Sequence, residues 1–235
     1  MRKGFTLVEL SIVLVIIGLL IGGILVAQSM ISTSKIEMSI RQIGQFDAAV
    51  ANFKTKYNQV PGDSNLFSDP GNNNGSTNGE PTEEAFAWEH LSQGVSLMTP
   101  QGKAYTGYDI YDGTIIPSAA NCPTLAVNQN PAGYNCLTIE YPNYMNGVGR
   151  YRFQNGTVSA QPADANLTLL PGDALAIDLK IDDGNALSGV MNDYEFGSAL
   201  TTDCNDGGGN YNTANTTVYS CVPFIQIGTQ NGMNH

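Results

Sequence analysis

Charge is scarce in this chain, and positive charge is the scarcer kind. Only 13% of its 235 residues are charged, with 10 Lys and Arg against 21 Asp and Glu, for a net charge of -11. A general nucleic-acid or anionic-membrane surface needs clustered Lys and Arg, so neither partner is expected. There are two histidines and no Cys-x-x-Cys pair, which weakens most metalloenzyme readings. Gly-x-Ser-x-Gly is missing, and with it the nucleophile elbow of many serine hydrolases. No glycine-rich loop follows a strand pattern and opens a helix, so nucleotide binding has no support. His90 reads as a satisfied or solvent-facing side chain rather than a catalytic one, and His235 is the terminal residue. The 26 glycines and 11 prolines are many for a helical bundle and too few for low-complexity disorder. Collagen, coiled-coil and multi-pass membrane architectures are also excluded, and no internal repeat is present.

What is present begins at the N-terminus. From Leu10 to Ser34 there is no charged residue, and Phe5 to Ala27 holds a single one, Glu9. As a helix this stretch is roughly 35 Å long, enough to cross a ~30 Å hydrocarbon core. It is too long for the apolar region of a cleaved secretory signal, and Ala27-Gln28-Ser29 is a poor small-x-small site. Hydropathy alone would accept a plain signal anchor. Glu9 argues for more, because a carboxylate inside a spanning segment is costly and marks function by default. Arg2 and Lys3 hold the start of the chain in the cytoplasm. Gly4 offers a protease an unencumbered backbone. Cleavage after Gly4 frees an α-amino group on Phe5, whose charge can pair in lipid with a glutamate of a neighbouring chain.

The run Lys3-Gly4-Phe5-Thr6-Leu7-Val8-Glu9-Leu10, followed by the apolar stretch, resembles the N-terminus of type IV pilins and of type II secretion pseudopilins. The resemblance covers residues 1 to about 60 and is carried most sharply by Gly4, Phe5 and Glu9. It implies that a prepilin peptidase cuts after Gly4 and N-methylates Phe5, and that Glu9 serves assembly. Val26 stands where many members carry a proline, so the helix melting tied to that proline in some filaments has no proline here. Gly18, Gly22 and Gly23 are alternative weak points, each costing ~1 kcal/mol against Ala. They equally suit close helix–helix packing in a membrane.

Beyond the membrane stretch, Ile36, Ile40, Ile43, Phe46, Val50, Phe53 and Tyr57 form one stripe of 3.6-residue period. Glu37, Arg41, Asp47, Lys54 and Lys56 fill the other faces. One helix is expected from Thr6 to Tyr57, stopped before the turn signal Pro61-Gly62-Asp63. The expected division is therefore a leader at 1–4, a spine at 5–57 and a body at 58–235. Within the spine, 5–30 lies in membrane or filament core and 31–57 is amphipathic.

The body reads as α+β, an antiparallel sheet packed on the spine with short extra helices. A polar loop spans 58–80. Thr82 is expected to cap a helix that carries Phe86, Trp88 and Leu91 and ends at Gly94. Tyr105 to Ile116 is an aromatic, β-branched stretch broken at Gly107, Asp109 and Gly113. Strands are expected at 137–141, 149–153, 218–221 and 224–227. A helix with Ala174, Ile177 and Ile181 on one side follows Pro171-Gly172-Asp173. It ends at Asp182-Asp183-Gly184, whose acids read as a solvated helix end.

Four cysteines suit an exported body. Three pairings are possible, and the local one, Cys122–Cys136 with Cys204–Cys221, is expected. Each such loop contributes ~3 kcal/mol in the chain-entropy model. A C-terminal disulfide loop also resembles the variable region of many pilins. No cofactor is expected. The weak exception is calcium at Asp69, Asn72 and Asn74, which offer hard oxygens on a loop that is not an EF-hand.

The sequence thus points to a structural, non-enzymatic filament subunit, either of a type IV pilus or of a secretion pseudopilus. Alternatives are a minor pilin with an adhesin or priming role, and a membrane-anchored periplasmic binding protein or enzyme. The implied partners are copies of itself or related pilins, the prepilin peptidase and an inner-membrane assembly platform. The precursor would sit in the inner membrane with its body in the periplasm. It would then move to an extracellular pilus or a periplasmic pseudopilus.

Overall fold

The computed structural model describes residues 6–67, 71–77, 81–106, 109–111, 114–116, 123–127, 136–141, 149–154, 168–193 and 203–228. Helix α1 (Leu7–Tyr57) runs for 51 residues, about 75 Å. Thr6 caps its start, and Asn58 closes its end in the left-handed conformation, φ 54°, with its N–H on the Lys54 carbonyl. Asparagine tolerates that conformation better than most residues, and Pro61 follows soon after. Every residue from Thr6 to Ile31 is exposed. The stripe predicted for the second half is the buried one: Ile36, Ile43, Phe46, Val50 and Phe53 are buried, with Ile40 and Tyr57 packed against them.

The body wraps that stripe with helix α2 (Pro81–Val95), helix α3 (Pro171–Ile181) and a four-stranded sheet. Strand β1 (Asp109–Tyr111) and strand β2 (Thr114–Ile116) form a separate antiparallel hairpin. The main sheet contains β3 (Cys136–Glu140), β4 (Arg150–Gln154), β5 (Met191–Asp193) and β6 (Pro223–Gln226), in the order β3-β4-β6-β5. All three pairings are antiparallel. The fold is α+β, as the sequence pattern predicts.

Trp88 joins the layers. It is fully buried, its Nε1–H donates to the Leu137 carbonyl at 2.7 Å, and its ring meets Phe46 edge-on at 5.0 Å. Phe46 in turn faces Tyr151 of β4 at 6.4 Å. Helix, second helix and sheet therefore share one aromatic cluster, and the indole's polar edge is satisfied.

Several expectations are corrected. Helix α2 starts at Pro81, so Thr82 lies inside it rather than capping it. Proline presets φ for the first helical turn and has no N–H to leave unpaired, which suits that position. Gly94 is also internal, and the chain turns at Ser96, φ 58°. Asp109 sits in β1 rather than breaking it, whereas Tyr105 lies outside any strand, its N–H held by the Ser92 hydroxyl at 2.8 Å. Residues 218–221 form no strand; Cys221 makes an isolated bridge to Leu169. The short strand β5 has too few residues to show a period-2 pattern.

Asp47 is the sharpest correction on the spine. Expected on a polar face, it is buried beside Tyr141 and Tyr151. Burial first, and then the Asp47 charge, hold both phenols well above the usual tyrosine range.

Candidate functional site

Gly4 and Phe5 lie outside the described residues; Glu9 lies within them, in the first turn of α1. There Thr6 and Glu9 form a capping box. The Glu9 N–H donates to Thr6 Oγ1 at 3.3 Å, while the Thr6 N–H and hydroxyl both donate to Glu9 Oε2 at 2.8 Å. Glu9 Oε1 has no partner among the described residues. The side chain thus satisfies the helix start with one oxygen and presents the other outward. This local role is legible in the sequence as Thr-x-x-Glu, the capping-box spacing.

The stretch carrying Glu9 offers a wholly apolar surface. Among the described residues, α1 is the one helix long and apolar enough to cross a membrane. A Cβ added to Gly18, Gly22 or Gly23 would meet no atom within 4 Å. Among the described residues, no neighbour crowds those glycines.

His90 is buried and satisfied: its Nδ1 accepts the Gly62 N–H at 3.0 Å, and its ring stacks on Phe67 at 5.0 Å. Of the weak calcium candidates, Asp69 lies outside the described residues. Asn72 and Asn74 use their side-chain oxygens on the N–H groups of Asn74 and Ser76. Asp63, read from sequence only as part of a turn, organises this loop. It is buried and accepts N–H groups from Asn74 and Gly75 at 3.1 and 2.7 Å. Arg150 and Glu140 form a buried ion pair across β4 and β3, 2.8 Å apart, under the Phe224 ring. Opposite charges on adjacent strand patterns were its available signal.

Cys204 and Cys221 are joined, as the local pairing predicts. Cys122 lies outside the described residues, and with it the expected Cys122–Cys136 bridge. The acids at 182–183 do not form a simple solvated end. Their carboxylates converge with that of buried Asp178, ligand atoms lying within 4.8 Å of one another. Burial pushes the Asp178 carboxyl up to about 6, the Tyr211 hydroxyl and nearby Gly184 amide pulling the other way.

Residues 1–25 match the family model described as the prokaryotic N-terminal methylation motif. No curated protein and no solved structure matches the chain. The matched segment spans Gly4, Phe5 and Glu9 together with most of the exposed apolar half of α1. The chain therefore carries at its N-terminus the signal feature of type IV pilins and pseudopilins, a feature that points to a structural subunit rather than an enzyme.

Proposed function

We propose that this chain is a structural subunit of a type IV pilus or pseudopilus. The observation that carries the reading is the methylation motif set on a helix whose first half is apolar and exposed while its second half is built into the body. Such a helix has two suitable environments, a bilayer and a bundle of identical helices. A peptidase removes residues 1–4 and methylates the new Phe5 terminus. The subunit is then drawn from the inner membrane into a filament of packed spines. In the bilayer the outward oxygen of Glu9 lacks a partner. In the filament it meets the Phe5 amino group of an adjacent spine, where low dielectric strengthens the pairing and only a satisfied pair is tolerated.

The test uses two substitutions, because Glu9 has two roles. Glu9→Gln keeps the capping box and removes the charge, whereas Glu9→Ala removes both. Both variants are expected to be cleaved after Gly4, since the scissile bond is untouched. Both should remain in the membrane, with filament yield lowered about 100-fold or more. Abundant filaments built from Glu9→Gln alone would contradict the charge-pairing step.

A further inference from the structure

The spine ends in a polar cavity. A hollow of about 380 Å³ opens between the end of α1 and the loop 71–77. Lys54 and Asn58 stand on one side, Val60 and Asp63 at the turn, and Asn73 and Asn74 on the other. The volume lies in the ~300–1,000 Å³ range of small-molecule sites. The cavity sits at the end of α1 farthest from its apolar half.

Its walls are fixed by the fold. The Asn73 N–H donates to the Asp63 carbonyl at 2.9 Å, and the Asp63 carboxylate accepts the Asn74 and Gly75 N–H groups. The Gly71 N–H reaches the Ser64 carbonyl at 2.9 Å, and the Thr77 N–H reaches the Tyr141 carbonyl at 3.0 Å. On the helix side Lys54 lies over the Tyr141 ring, its Nζ 5.5 Å from the centroid. A preformed wall lowers the ordering cost of binding.

Three side chains are left to face a guest. Gln59 is engaged with Asn65 and Ser64, and Asn74 Oδ1 accepts the Ser76 N–H. The side-chain amides of Asn58 and Asn73 make no hydrogen bond among the described residues, and Lys54 makes no ion pair there. Both asparagines hold left-handed backbones, φ 54° and 55°. Glycine adopts that conformation at least cost, and eight described glycines do so. Of the three described non-glycine residues with positive φ, two line this one cavity. A carboxamide kept where glycine is the easier residue points to use of the amide.

The donor set selects the guest. No aromatic ring lines the cavity and Val60 is its one apolar side chain, so a nucleobase or a lipid tail has little to lie on. One ammonium and one carboxylate leave the lining neutral, which disfavours phosphate. The Asp63 oxygens already hold two N–H groups, and an ammonium shares the wall, which disfavours a metal cation. Carboxamides donate and accept at once, as hydroxyl groups do. We propose that this cavity binds a neutral saccharide, with ring hydroxyls meeting Asn58, Asn73 and Lys54. The site does not depend on the filament reading, since its residues lie outside the methylation motif and the apolar half of α1.

The full-length chain, purified in a zwitterionic detergent that carries no sugar, is mixed in turn with the methyl glycosides of glucose, galactose, mannose and N-acetylglucosamine. Saturation transfer from protein to sugar protons reads binding, and Trp88 fluorescence follows thermal unfolding. At least one glycoside should give a saturable signal with a Kd of roughly 10⁻⁴–10⁻² M, the scale open to a ligand of about a dozen heavy atoms. Asn58→Gly and Asn73→Gly remove the carboxamides and ease the left-handed backbone. Their melting temperatures should hold or rise while the Kd rises about three- to tenfold in each. Lys54→Met keeps the stem over Tyr141 and should weaken binding similarly. Silence from all four glycosides would overturn the proposal. So would wild-type affinity in both glycine variants, or displacement of the sugar by inorganic phosphate.

Discussion

Gly94 illustrates how a single position joins the spine to the body. A Cβ there would come within 2.7 Å of the Phe53 ring and 2.9 Å of the Tyr57 ring. The Gly94 carbonyl also accepts Lys56 Nζ at 2.9 Å and the Tyr57 hydroxyl at 3.2 Å, so α1 caps the end of α2. In an isolated helix Gly→Ala gains up to ~1 kcal/mol. Overpacking in a filled core costs typically ~1–3 kcal/mol, and here the obstacles are rings held by Phe67 and His90. Gly94→Ala is therefore expected to destabilise the protein by about 1–2 kcal/mol in chemical denaturation. An increase in stability would show that the rings move aside freely. A second residue-scale prediction concerns Tyr141 and Tyr151. Their phenols titrate higher in the folded chain than the ~10 of an unfolded one. Their contribution to stability is thus fully present below pH ~10 and is lost as pH rises through the folded values. Absorbance at 295 nm should show these rings ionising only as the body unfolds. All 11 tyrosines titrating together near 10 in folded protein would contradict the burial seen here. At this scale the sequence was legible for Trp88 and Phe46, whose apolar character sets their burial. It was not legible for Asp47 or Asp178, because a carboxylate is buried only by partners distant in the chain.

Elements differ in how far local sequence determines them. Helix α1 was readable over its whole length because an uncharged apolar run marks its first half, a 3.6-residue stripe marks its second, and its end carries an explicit turn signal. Strands β3 and β4 were readable from alternation. The start of α2 departs from its local signal: Thr82 followed by acids is a good cap, yet Pro81 is a better first residue. Strand β5 exists through its pairing with β6, register Met191 to Ile225, rather than through any pattern of its own. What fixes it is a set of long-range ties. Asp193 Oδ1 accepts the Val222 N–H at 2.9 Å, next to the Cys204–Cys221 bridge. Both half-cystines are fully buried. Their separation of 17 residues corresponds to about 3 kcal/mol in the chain-entropy model. The double change Cys204→Ala with Cys221→Ala is expected to lower stability by about 2–4 kcal/mol. It should loosen the β5–β6 edge first, read as faster amide exchange there than in β3 and β4. Uniform protection across the sheet in that variant would contradict a local role for the bridge.

The whole molecule divides its surface by environment. The N-terminal half of α1 is apolar and exposed, and the body holds most of the acidic charge, with Lys103, Arg150, Arg152 and Lys180 the only bases beyond residue 56. An acidic, disulfide-bonded body on an apolar stalk suits a chain that begins in a membrane and works outside the cytoplasm. Gly4 tests the first step of that route, since a side chain there would crowd the peptidase. Gly4→Val should accumulate as uncut precursor in the membrane fraction, and normal maturation of that variant would remove Gly4 from the account. The central claim is that the N-terminal motif is used. Intact-mass and N-terminal peptide analysis of the protein recovered from its native host measures this most directly. The account predicts a mature chain that begins at Phe5 and carries an N-methyl group. A chain that retains Met1 through Gly4, inserted in the membrane and unmodified, would contradict it and leave a plain anchor in its place.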